Sequence, residues 1–181
     1  MDNTSEQKIF HIITAFETYA LGDIKKVQIN KMPIAAFILS VCFIDQVSGF
    51  IYDNSIRGQK KNTERSKKFV LEYLNKVSVK PYDKDALIEL LRNKLVHNYS
   101  VSDKKIPNHQ RYILDYENPQ FHLHVEDDIV VINIEGFIKD LEKAFALYKS
   151  QLLSDVNFQK IAIAHYDVYG ILVHKEIQLN K

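Results

Sequence analysis

Apolar residues recur at spacings of three and four along most of this chain, the signature of helices with one buried face. Ile9, Ile12, Ile13, Phe16, Tyr19 and Ala20 form one such face and predict a helix from about Ser5 to Lys26. Ser5 is its candidate N-cap, although Lys8 stands where a capping box would carry an acid, and Gly22 weakens the helix near its end. Pro33, whose fixed φ suits a first helical position, opens a stretch that is apolar nearly all round as far as Tyr52. Such a stretch predicts a central helix covered on every side. Phe69, Val70, Tyr73, Leu74 and Val77 predict a third helix over about 63–77. Asp83 is the candidate N-cap of a fourth, whose stripe is Leu87, Leu90, Leu91 and Leu95.

The texture changes after Tyr99. Residues 102–109 are polar, contain Pro107 and read as a loop. Gln110 to Tyr116 and Phe121 to Val125 read as strands joined by Glu117-Asn118-Pro119-Gln120, with Ile129 to Asn133 as a third. Phe137, Leu141, Phe145, Tyr148 and Leu152 then space as a fifth helix over about 135–153. The tail from Asn157 onward fits helix or strand. The pattern predicts a mainly α protein: one domain over residues 1–181, about five helices, and a small antiparallel β insertion at roughly 108–133.

Composition narrows the picture. With 181 residues, five glycines and four prolines, a sizeable helical core is expected. The net charge of +1 means that any nucleic-acid contact must come from a local patch. That patch has a candidate in Arg57 to Lys68, with six basic residues against one acid. Lys60, Lys61, Arg65, Lys67 and Lys68 could hold RNA phosphates, but no aromatic residue interleaves to stack bases, and a solvated loop and helix start is the plainer reading. The single cysteine, Cys42, lies in an apolar run and reads as a buried thiol in a reducing compartment. The polar, acidic start of the chain gives no signal-peptide pattern. The apolar run Ile34 to Ile44, interrupted by Ser40, reads as too short for a bilayer. A cytoplasmic protein off the membrane is expected.

Candidate chemistry concentrates at the end of the fourth helix. At about 100° per residue, Arg92, Asn93 and His97 fall on the side away from the leucine stripe, with Val96 among them and Tyr99 two turns beyond Arg92. By the same count Arg92 and His97 stand about 140° apart. Asp45 is a carboxylate inside the apolar helix, so it is either paired or on a wet edge. Arg92, His97 or a backbone donor is its expected partner. A competing site is His122-Leu123-His124, which on a strand would put two imidazoles on one face, followed by Glu126, Asp127 and Asp128. Three ligands cannot be built from one short strand, so no metal site is assigned. Glycine-rich phosphate loops, nucleophile elbows and paired-cysteine zinc motifs are absent from the sequence.

Arg92-Asn93-Lys94-Leu95-Val96-His97-Asn98-Tyr99 resembles the signature of the HEPN superfamily: an Arg, four to six residues, then a His near a helix end. A polar residue often follows the Arg, as Asn93 does, and some HEPN toxins carry a Tyr two residues after the His, as Tyr99 would be. The resemblance implies a HEPN-like bundle and a metal-independent endoribonuclease that needs no cofactor. His97 would be the general acid/base for attack of a ribose 2′-hydroxyl on the neighbouring phosphate. Arg92 would stabilise the charge on the phosphorane, with Asn93 and Asp45 orienting the pair. Tyr99 would bind substrate or be modified by a partner nucleotidyltransferase antitoxin. The 140° separation predicts a homodimer with a composite site. The alternative is a non-catalytic HEPN-like binding or regulatory module.

Overall fold

The computed structural model describes residues 3–52, 59–96 and 111–171. Among them the chain forms six helices and three strands. Helix α1 (residues 3–29) runs as an α-helix over Asn3–Thr14, a π segment over Ala15–Ala20 and an α-helix over Leu21–Ile29. Ser5 is therefore inside α1 and not its cap, and Gly22 lies in its second half. Helix α2 is Pro33–Ile51, with Pro33 in the first turn as expected. Helix α3 (residues 59–77) joins Gln59–Phe69, a π segment Val70–Leu74 and the short Asn75–Val77. Helix α4 (residues 84–96) begins as an α-helix over Lys84–Ile88 and ends in a π segment, Glu89–Val96. Helices α5 (Ile134–Ser154) and α6 (Val156–Tyr169) close the described chain. The tail left open between helix and strand is thus helical through Tyr169.

Helix α2 is the hub. It touches α1, α3, α4, α5 and α6, and its Ala36, Phe37, Val41, Phe43, Ile44, Val47 and Phe50 are buried. By length and composition alone this 19-residue helix, longer than the run Ile34 to Ile44, would pass as a membrane span, a test that buried core helices also pass. Most of it is covered by the other helices, as suits a core helix, although Ile34 and Cys42 are exposed. Phe16 lies edge-on to Phe43 and Phe50, with ring centroids 5.6 and 5.4 Å away, and Phe145 packs 5.4 Å from Phe16. These aromatic contacts tie α1, α2 and α5 together.

The sheet departs from expectation. Strands β1 (Arg111–Asp115), β2 (Val125–Glu126) and β3 (Ile129–Asn133) are ordered β1-β3-β2. β1 runs parallel to β3, in a register that pairs Ile113 with Val131. Only β2 runs antiparallel to it. The sheet is mixed rather than antiparallel, and the expected strand Phe121–Val125 is instead a 3-10 turn, Pro119–Phe121, followed by Leu123 at φ 58°. That left-handed residue breaks the alternation a strand requires. Asn133 ends β3 and caps α5, its side-chain oxygen accepting from the backbone N–H groups of Glu135 (2.9 Å) and Gly136 (3.3 Å).

Candidate functional site

The site is built where α4 crosses α2 and α3. Asp83, at the start of α4, accepts from the backbone N–H groups of Asp85 and Ala86 at 3.0 and 3.1 Å, as its sequence position predicts. Asn75 holds the preceding linker from both sides: its amide donates to the Tyr82 carbonyl at 3.1 Å and its oxygen accepts from Tyr82 N at 2.8 Å. From that fixed start Leu87, Leu90, Leu91 and Leu95 are all buried. This orientation leaves Arg92 to reach sideways toward α2 and α3.

Arg92 Nε donates to Asp45 Oδ2 at 2.7 Å. Its Nη1 donates to the Thr63 hydroxyl. The other Asp45 oxygen accepts from the Ser66 hydroxyl, which also lies 3.0 Å from the Asn62 carbonyl. Arg92 is 17% exposed and Asp45 31%, so the pair is neither in open solvent nor sealed in the core. Asp45 therefore has the arginine partner expected of a carboxylate in an apolar helix. Arg92 does not simply face away from the core; it is the tie between three helices. Thr63 and Ser66 were missed from sequence, where two hydroxyls in a basic stretch carry no periodic signal.

The geometry of α4 also changes the angular argument. The residues of Glu89–Val96 follow π rather than α winding, so 100° per residue does not apply. A π segment closes hydrogen bonds between residues five apart and brings such residues toward one line. The expected 140° between positions 92 and 97 assumes α winding throughout, and position 97 itself lies outside the described residues. His97 and Tyr99 lie outside the described residues, as do the side chains of Asn93, Lys60 and Lys61.

The positive stretch is more neutralised than counting suggests. Lys67 pairs with Asp85 at 2.8 Å and Glu64 at 3.5 Å. Asp85 also holds Lys84, and hydrogen bonds from Lys67 and then Lys84 lower its pKa to about 2. Lys68 lies 3.7 Å from Glu72 and 4.3 Å from the centre of the Tyr52 ring. Arg65 donates to the Asn62 side chain. Each of these three basic side chains thus has an intramolecular partner, which weakens a purely electrostatic RNA surface.

Cys42, expected to be buried, is exposed on α2. The protein around its sulfur, and then the Asp45 carboxylate, raise its thiol above the ordinary range. The result is less thiolate and a less reactive sulfur.

The two histidines 122 and 124 do not form the same-face pair considered from sequence. His122 is nearly enclosed: its Nε2 lies 2.9 Å from the Tyr82 hydroxyl and 3.4 Å from Asp140, while its Nδ1 accepts from the backbone N–H of Asn133 at 3.2 Å. The Tyr82 hydroxyl donates to Asp140 at 3.0 Å. Gly136 makes room for this ring, since a Cβ there would come within 2.3 Å of it. His124 is exposed instead. This buried network fastens the sheet to α5 and to the start of α4. Among the described residues no group of three His, Cys, Asp or Glu side chains could hold a metal.

Two grooves lie elsewhere. One of about 460 Å³ is lined by Tyr52, Lys68, Glu72, Tyr73 and Phe158; another of about 480 Å³ by Ile29, Pro33, Tyr116 and Ile134. Neither includes Arg92 or Asp45.

No family model, no curated protein and no solved structure matches this chain.

Proposed function

We propose that the chain is a HEPN-like, metal-independent endoribonuclease whose site is organised by Arg92 and His97. The observation that carries the reading is the Arg92 tie: a guanidinium at the motif helix, held by Asp45 of α2 and Thr63 of α3. An arginine fixed in this way is pre-organised to meet the charge that builds on a phosphorane. His97 serves as general acid/base for the 2′-hydroxyl and the leaving 5′-oxygen, a role suited to a group that titrates near neutrality. Asn93 assists in orienting the pair, and Tyr99 contacts substrate or accepts modification by a nucleotidyltransferase partner. Lys60, Lys61, Arg65, Lys67 and Lys68 guide the RNA backbone, the last three with strength reduced by their own partners.

In this reading a homodimer brings two Arg92–His97 pairs into one shared cleft.

A second reading is a non-catalytic HEPN-like module, favoured by the same contacts: Nε and Nη1 of Arg92 already bind the protein. Cleavage of RNA in excess chelator separates the two. The nuclease reading expects cleavage by the wild type, and a loss of about 100-fold or more in both His97→Ala and Arg92→Lys, since one ammonium cannot hold Asp45, Thr63 and a phosphate together. Equal behaviour of wild type and His97→Ala favours the module.

A further inference from the structure

The geometry points to Thr63 and Ser66 as positioning residues that set the plane of the Arg92 guanidinium for a single phosphate oxygen. This deepens the ribonuclease reading above and rests on it for the identity of the ligand. Helical Ser and Thr hydroxyls commonly bond back to a carbonyl one turn earlier. Ser66, which is fully buried, is within reach of the Asn62 carbonyl at 3.0 Å, but it also meets Asp45 Oδ1. Thr63 accepts from Arg92 Nη1. Residues three apart share one face of a helix, so α3 presents both hydroxyls to the same ion pair.

Each hydroxyl has a distinct task. One Nε–carboxylate contact fixes a corner of a planar group and leaves its tilt open. The Thr63 contact on Nη1 adds a second point and fixes the plane. Ser66 occupies the Asp45 oxygen that would otherwise be available for a two-pronged carboxylate–guanidinium fork. Asp45 is thereby held to the single Nε contact at 2.7 Å. The cradle commits Nε and Nη1 to the protein and reserves Nη2 for one non-bridging oxygen of a phosphodiester.

The test uses the full chain with Thr63→Val, Thr63→Ser and Ser66→Ala. Nitrogen-15 NMR of the Arg92 guanidinium reads the cradle directly, without substrate. The wild type and Thr63→Ser should show separate, slowly rotating Nη signals; Thr63→Val should average them, with its thermal unfolding midpoint little changed. Ser66→Ala should speed exchange of the Arg92 Nε–H and serves as the readout if Thr63→Val does not fold. In RNA cleavage Thr63→Val should lose roughly tenfold or more in turnover, the worth of one hydrogen bond to a charged group, with KM within about twofold. Thr63→Ser should recover that loss. Nη signals in Thr63→Val as restrained as in the wild type overturn the cradle, and so does unchanged turnover. A wild type that cleaves no RNA defeats the ribonuclease reading alone; the NMR result then decides for or against the cradle.

Discussion

His165 packs edge-on to Phe50, with ring centroids 4.4 Å apart, and beside Tyr169 at 4.6 Å. Gly49 makes the approach possible, since a Cβ there would lie 2.7 Å from the imidazole. Burial, and then the Arg65 charge, lower the pKa of His165 to about 4. The unfolded chain thus binds the proton first as pH falls, and the stability tied to neutral His165 is present above about pH 6.5 and is lost progressively toward pH 4. His165→Gln should flatten the fall of the thermal midpoint across that window; an unchanged slope would remove His165 as its cause. At the candidate site, Asp45→Asn should weaken the Arg92 tie and cost about 1.5 kcal/mol in urea unfolding, the lower end of the range for charged hydrogen bonds because the pair is partly exposed. A cost near zero would mean that the tie contributes nothing to the fold. Asp45 was legible from sequence because a carboxylate among apolar residues demands a partner. Cys42 was misread because a run of apolar neighbours hides the phase of the helix, and one wet edge suffices to expose a thiol.

At the scale of elements, the apolar periodicity located the helices well: the residues it marked on α4 and α5 are buried, as are Ile9, Ile12 and Phe16 on α1, while Ile13, Tyr19 and Ala20 are half-buried. The cap at Asp83 was legible too, and it carries a direct expectation. Asp83→Ala removes the acceptor for two backbone N–H groups and should cost about 1 kcal/mol in chemical unfolding; no loss would show that Asn75 and Tyr112, which also bind the linker, hold α4 unaided. The three π segments were not legible. Their winding differs from an α-helix by one residue per hydrogen-bonded ring, too little to disturb a stripe of leucines. The mixed sheet was hidden for a related reason: alternation marks a strand's faces but not its direction. Leu123, at φ 58°, carries no signal of its own, yet it separates the environments of His122 and His124.

At the scale of the molecule, the helix predicted to be central touches every other described helix, and the small sheet is fastened by Tyr82, His122 and Asp140. The homodimer is a prediction at this scale. Light scattering at micromolar concentration should give twice the 21.1 kDa chain mass; a monomer would end the composite-site version while leaving a site within one chain open. The central claim is the chemistry assigned to Arg92 and His97, and the ends of the cleaved RNA test it most directly. Wild-type protein incubated with RNA in excess chelator should leave 5′-hydroxyl and 2′,3′-cyclic phosphate ends, the products of attack by the ribose 2′-oxygen. Intact RNA, or 5′-phosphate ends, would contradict the account.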